Sequence, residues 1–358
     1  MTTTSTDVVV VKVGTSSVTT PNGQVDQTTL RAIARDVATL RARGVRLVVV
    51  TSGAITAGWA AVGAGAPRPK AAETLQAVSA VGQPLLMNAW RDAFSDVDLP
   101  VGQVLVAPLD FADRRQYLKA RSTLHELWKL GVIPIVNEND AVADEEIRFG
   151  DNDRLAALVA NLVGANRLVL LTDTEGLFTA DPRLDATATL IEEVVSFDAS
   201  QAVAGESRSG VGSGGMASKV AAAQMASWSG VTTVIAAARA ERALVRATEG
   251  EGGFGTTVRA RADRLSARAT WIAFASPARG TLTINDGAAA ALRHRASLLK
   301  VGVISRSGTW LEGDAVAIVS ESGAALGKGL ARVSSEQWSS TTESVIIHVD
   351  DLVISLGE

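Results

Sequence analysis

The chain has 358 residues, with 34 Lys and Arg against 38 Asp and Glu and a formal net charge of −4, which argues against a general nucleic-acid binder driven by a basic surface field. A hydrophobic fraction of 47% with 20% charged residues excludes wholesale disorder, and the absence of cysteine excludes disulfides, thiolate metal sites and a cysteine nucleophile. This length accommodates one large α/β core and a smaller second domain.

The start, Met1 to Asp7, lacks the basic residues and apolar run of a signal peptide, and the apolar stretches elsewhere are too interrupted to span a bilayer. The sequence therefore reads as a soluble, cytoplasmic protein with no membrane partner. Residues 8 to 13 and 45 to 51 are Val-rich runs separated by a helical pattern from Leu30 to Arg43, with Gly44 as the helix stop. Strand-like Gly102 to Ala107, helix-like Ser122 to Leu130, strand-like Val132 to Val136, helix-like Asp153 to Leu162 and strand-like Arg167 to Thr172 continue the alternation. Continuous rather than alternating apolar strands predict a mainly parallel sheet covered on both faces, a three-layer α/β sandwich. Past about Val258 the pattern changes. An Arg-rich stretch, Arg259 to Arg264, reads as a connector, and short strand-like pieces follow at Trp271 to Ala275, Gly280 to Ile284, Ala315 to Val319 and Ser344 to His348. The boundaries expected are a first domain over 1–258, a linker over 259–277 and a small, mostly-β domain over 278–358.

In a parallel sheet, ligands bind beyond the carboxyl ends of the strands. Lys12 lies inside the first apolar run, where an ammonium needs a structural carboxylate or a ligand phosphate, unless it snorkels at a sheet edge. Ser52 follows the second strand and either bonds a substrate carboxylate or caps the next helix. Asn137-Glu138-Asn139-Asp140 and Gly150-Asp151-Asn152-Asp153 concentrate amides and carboxylates at strand ends, the chemistry that holds an amino group and orients lysines, although such clusters also serve as turns and N-caps. Thr172-Asp173 ends the Leu168 to Leu171 strand and suits a nucleotide or a plain turn. Gly212-Ser213-Gly214-Gly215-Met216-Ala217-Ser218-Lys219 opens a helix with glycines and carries a lysine, which suits phosphate oxygens at a helix N-terminus. It is neither a Rossmann fingerprint nor a P-loop. The three histidines, His125, His294 and His348, lie far apart and give little support to a zinc site. Two lysines, a glycine-rich helix entry and polar strand ends together point to phosphoryl transfer.

Val11-Lys12-Val13-Gly14-Thr15-Ser16, Thr51-Ser52-Gly53-Ala54-Ile55, Asn137 to Val142, Gly150 to Asp153, Leu171-Thr172-Asp173, Thr179-Ala180-Asp181-Pro182-Arg183 and Gly214 to Lys219 resemble the bacterial glutamate 5-kinases in order and spacing. The tail from about Ala278 resembles a PUA domain. The resemblance implies ATP-dependent phosphorylation of the γ-carboxylate of L-glutamate, the first step towards proline. It further implies Lys12 and Lys219 flanking the transferring phosphoryl with Asp153 holding them. Glutamate would lie on Ser52, Asp140, Asn152 and Asn137, and ATP on Lys12, Thr172, Asp173 and the loop Ser213, Gly214, Gly215, Met216, Ala217, Ser218 and Lys219. Mg2+ is expected to ride on the phosphates, with no dedicated protein ligand. Feedback inhibition by proline and a homo-oligomer, dimer or tetramer, are also expected. Arg148, where the family often has lysine, keeps the charge; Lys300, where a proline is usual, and a short Trp338 to His348 segment depart in the PUA-like part. From Thr270 to Glu358 seven Lys and Arg face nine Asp and Glu, so a structural or regulatory role is favoured there over RNA binding. The alternatives are another carboxylate or carbamate kinase of the same fold, or a non-catalytic amino-acid sensor or RNA-binding protein.

Overall fold

Strand β1 (Val8–Val13) is buried along its whole length, as a Val-rich run requires when helices cover both faces of its sheet. The computed structural model describes residues 7–63, 66–107, 110–111, 113–142, 152–195, 215–262, 264–276 and 278–354. β1 pairs in parallel with β2 (Arg46–Thr51) and β5 (Arg167–Thr172), placing Lys12 opposite Val50 and Leu170. With β3 (Val101–Val106), β4 (Ile133–Glu138), β6 (Glu193–Val194), β7 (Thr232–Ala237) and β8 (Thr256–Val258) they make an eight-stranded sheet in the order β3-β4-β2-β1-β5-β7-β8-β6. Its pairings are parallel except for β7 with β8. The mainly parallel sandwich expected from the sequence is present. β1 is central, so Lys12 does not snorkel at a sheet edge.

Among the described residues the helices of this unit are α1 (Thr15–Val18), α2 (Gln27–Ala42), α3 (Ala54–Val62), α4 (Ala72–Ser95), α5 (Arg114–Lys129), α6 (Asn152–Val163), α7 (Met216–Trp228) and α8 (Ala243–Glu249). Asp26 caps α2 by accepting from the Thr28 and Thr29 amides, and Asp113 caps α5 by accepting from those of Arg115 and Gln116. Gly44 and Gly131, at φ of 86° and 76°, follow the two helix ends in the left-handed conformation. Val9, Val11 and Val13 pack with Leu30 and Ile33 of α2, Trp90 and Phe94 of α4 and Leu244 of α8. Strand alternation turns Lys12 to the opposite face, where it meets Asp153 of α6. Helices α3 and α4 are additional to the elements expected between β2 and β3. They approach so closely that a Cβ on Gly82 would lie 1.8 Å from the Ala54 carbonyl oxygen, and one on Gly58 would lie 2.0 Å from that of Val78.

The chain divides into two compact units, residues 1–264 and 265–358. Residues 265–276, within the expected connector, thus belong to the second unit. There Trp271–Ala275 is a π-helical turn after α9 (Ala267–Thr270), not the expected strand. A five-residue apolar run carries no periodicity that separates the two. Lys328 donates to the carbonyls of Ala273 and Ser276 and holds the turn in place. Strands β9 (Ala278–Ile284), β11 (Val303–Gly308), β12 (Ala315–Ser320), β13 (Ala325–Leu330) and β15 (Leu352–Ile354) form a five-stranded sheet in the order β11-β9-β12-β13-β15. β10 (Leu298–Leu299) pairs with β14 (Val345–Ile347), and α10 (Asp286–Arg293) supplies Ala289 and Leu292 to a core with Leu282, Ile318 and Trp310. Among the described residues no helix is long and apolar enough to cross a membrane.

Candidate active site

Lys12 stands one residue before the carboxyl end of the central strand, with its ammonium 3.8 Å from where a Cβ on Gly14 would lie. Its Nζ is 2.6 Å from Asp153 Oδ1, and Lys219 Nζ, from the first turns of α7, is 3.1 Å from Asp153 Oδ2. Asp153 is fully buried, and Lys12 and Lys219 are 3% and 5% exposed. Two ammonium groups thus converge on one carboxylate in a low-dielectric site, where a shared counter-ion offsets the cost of burying charge. Ser218 donates to the same Oδ2 at 3.1 Å, tying the opening of α7 to the opening of α6.

A second cluster adjoins this one through the neighbouring residue Asn152. The two hydrogens of its Nδ2 are shared among three acceptors, the Thr51 carbonyl at 2.7 Å, Ser52 Oγ at 2.9 Å and Asn137 Oδ1 at 2.9 Å. Ser52 therefore does not cap α3. That position is Gly53, at φ 105° with no side-chain cap, where a Cβ would come within 2.7 Å of Val18. Only glycine tolerates the left-handed turn that sends the chain from Ser52 into α3. Asn137 passes its own Nδ2 to Gln83 Oε1 at 2.7 Å, and Asp140, in a short 3-10 turn after β4, accepts from Ser79 Oγ at 2.9 Å. Asn152 Oδ1 is buried and accepts no hydrogen bond. An orphaned acceptor of this kind marks a place for an incoming donor.

The remaining expected residues lie on the other side of β1. Thr172 ends β5 and bonds Asp173 Oδ1 at 3.0 Å, while the Gly14 amide donates to the Leu171 carbonyl at 3.2 Å and ties the β1 exit to β5. Gly215 is the N-cap of α7, extended and without a side-chain cap; Met216 and Ala217 form the first turn, which carries no acidic residue. That opening leaves backbone N–H groups for an anion. Ser213 and Gly214 lie outside the described residues. In the Thr179 to Arg183 turn, Arg183 bonds both Asp181 oxygens at 3.0 and 2.8 Å and holds that carboxyl down to about 2.

Lys12, Ser52, Asn137, Asp140, Asn152, Asp153, Thr172 and Lys219 therefore come from the carboxyl ends of adjacent strands β4, β2, β1 and β5 and from the helices that follow. Sequence reasoning passed over Ser79 and Gln83. Their signal is two polar residues one helical turn apart on the apolar stripe of α4.

Residues 7–237 match the amino acid kinase family, and residues 280–351 match the PUA domain. The chain is 46% identical over 330 residues to a glutamate 5-kinase of Aromatoleum aromaticum, covering 92% of this chain and 88% of that one. It is 43% identical over 363 residues to a glutamate 5-kinase of Nitrosomonas eutropha, covering 97% of each. An isopentenyl phosphate kinase of T. acidophilum superposes with a TM-score of 0.52 at 17% identity, covering 70% of this chain and 100% of the other, a likeness of fold alone. Matched over residues 7–237 by the amino acid kinase family and along most of its length by relatives named glutamate 5-kinase, the chain belongs to the amino acid kinase family, among the glutamate 5-kinases.

Proposed function

We propose that the protein transfers the γ-phosphoryl group of ATP to the γ-carboxylate of L-glutamate, giving L-glutamyl 5-phosphate and ADP, the first step of proline biosynthesis. The observation that carries this reading is the pair of buried lysines held on Asp153 beside the Ser52, Asn137 and Asn152 cluster. A side-chain carboxylate with an ordinary pKa of about 4.3 is already an anionic nucleophile at neutral pH, so the reaction needs alignment and charge neutralisation, not a general base. One carboxylate oxygen forms a bond to the γ-phosphorus as the bond from that phosphorus to the bridging oxygen breaks, and the electron pair leaves with ADP.

Lys12 and Lys219 flank the moving phosphoryl, and Asp153 fixes both ammonium groups so that no reorganisation is required as charge builds. Ser52, Asn137, Asp140 and Asn152 hold glutamate, the orphaned Asn152 oxygen and the Asp140 carboxylate being suited to its ammonium. Thr172, Asp173 and the Ser213 to Lys219 segment hold ATP, the amides at the opening of α7 taking phosphate oxygens. Among the described residues no group of three or more His, Cys, Asp or Glu could hold a metal, and Mg2+ would arrive with the phosphates of ATP, keeping waters of its own. When bound there, Mg2+ neutralises charge on the phosphates.

The test is ADP release with Mg-ATP and L-glutamate, with hydroxylamine trapping the acyl phosphate as a hydroxamate. Glutamate-dependent turnover that disappears in Lys219→Ala is the expected result. Activity with another carboxylate or with carbamate, and none with glutamate, would sink the substrate assignment and keep the fold. We further propose that proline inhibits by competing at the Asp140 to Asn152 segment. Saturating proline should slow the rate at subsaturating glutamate, and an unchanged rate refutes this. Catalysis resides in the first unit, residues 1–264, of a cytoplasmic dimer or tetramer; the net acidic PUA-like part serves structure or regulation in preference to RNA.

A further inference from the structure

We infer that helix α4 is a template for substrate recognition, with Ser79 and Gln83 as positioning residues that set selectivity for the α-amino-acid end of the substrate; this rests on the glutamate reading above. Both side chains are buried, at 3% and 9% exposure, and lie one turn apart on the same helix face. A serine and a glutamine in that setting require partners, and each finds a group from the substrate-side cluster. Ser79 Oγ donates to Asp140 Oδ2 at 2.9 Å, fixing the rotation of that carboxylate. Gln83 Oε1 accepts from Asn137 Nδ2 at 2.7 Å, fixing which end of that amide faces inward.

The amide chain runs in one direction. Asn137 gives its nitrogen to Gln83 and turns its oxygen to Asn152 Nδ2, which also reaches the Thr51 carbonyl and Ser52. The Thr51 carbonyl only accepts, so Asn152 must aim its nitrogen there and at Asn137 Oδ1, which turns the Asn137 nitrogen to Gln83 Oε1 and leaves Asn152 presenting Oδ1 without a donor. That oxygen and the Asp140 carboxylate are acceptors matched to an ammonium group, and they reject a carboxylate in the same place. Without the Gln83 acceptor, Asn137 loses the contact that keeps its nitrogen away from Asn152. The helix itself is held in register by its glycine contact with α3, which starts two residues after Ser52. Ser52 and the α4 side chains are thereby placed by one rigid helix pair.

The experiment compares L-glutamate with glutarate, which lacks the amino group, as substrate or competitor of the full-length enzyme. Gln83→Met and Ser79→Ala should each lower selectivity for glutamate over glutarate by about tenfold, the size of one hydrogen bond to a charged group. KM for glutamate rises, whereas kcat and KM for ATP stay close to native. Gln83→Glu keeps an acceptor at the same reach and should keep the selectivity. A merely structural role would lower the melting temperature and affect both ligands alike. Should Gln83→Met not fold, Ser79→Ala, which removes one oxygen atom, decides the matter. Unchanged selectivity in folded variants of an active enzyme overturns the α4 assignment alone; a native enzyme that ignores glutamate overturns the parent reading with it.

Discussion

Basic residues gather at both ends of the eight-stranded sheet, yet only one gathering has the makings of an active site. At the amino ends of β2 and β4, a cavity of ≈ 280 Å³ is lined by Arg41, Arg46, His125, Trp128 and Lys129 among others. Apart from the His125 Nε2, which is buried without a hydrogen-bond partner, each of these is accounted for by local structure. Arg41 and Lys129 sit in the last turns of α2 and α5, where cations complement the negative end of the helix dipole. Lys129 pairs with Glu126 at 2.8 Å, Arg46 lies over the Trp128 ring at 5.9 Å, and His125 meets that ring edge-on at 5.1 Å. At the carboxyl ends the described cations, Lys12 and Lys219, are buried and share one carboxylate. What separates a site from a patch is thus burial with a shared counter-ion, not the amount of positive charge.

Perturbing the two ends in parallel is the sharpest test of that contrast. Asp153→Ala, which removes the carboxylate that two buried ammonium groups share, should abolish measurable turnover and cost about 3–5 kcal/mol in urea denaturation. Arg46→Ala at the opposite end should leave turnover at the native level and change stability by less than about 0.5 kcal/mol. Equal losses at both ends would break the comparison. Gly82→Ala comes next: its methyl group cannot fit against Ala54, so the helix pair must shift, costing about 1–3 kcal/mol and raising KM for glutamate more than KM for ATP. The smallest effect is expected at His125, whose pKa is pushed down by burial and by the neighbouring Arg121, Arg46 and Lys129. A histidine depressed in the folded state takes its proton preferentially when unfolded, so its contribution is present above about pH 6.5 and is lost as pH falls. His125→Gln should therefore show a shallower drop in melting temperature on acidification from about pH 7 to about pH 5, and an identical slope would refute this.

Much of the sheet was legible because β1, β2, β4 and β5 are unbroken apolar runs, and Lys12 stood out as a charge inside one of them. Polar strand ends such as Asn137 and Thr172 were found because parallel sheets place ligands there. Helices α3 and α4 were not legible. Their alanine and glycine content gives little contrast between faces, and the glycines matter through a helix-to-helix contact that no local pattern encodes. The Ser52 ambiguity was resolved by tertiary contact, since its partner Asn152 lies 100 positions away. Ser79 and Gln83 escaped for the same reason. Their partners, Asp140 and Asn137, lie 61 and 54 positions on.

The central position of β1 also fixes an order of events during synthesis. The strand bearing Lys12 is made before its two neighbours, and one of them, β5, and the two groups of its charge network, Asp153 and Lys219, follow much later. Until then the nascent chain carries a sticky Val-rich segment with an ammonium group that has no counter-ion. Sheets that pair early strands with late ones close slowly and expose such segments while they wait. A message truncated before the codon for Asp153 would therefore yield a fragment whose β1 keeps β2 but lacks β5, a natural client for chaperones and proteases.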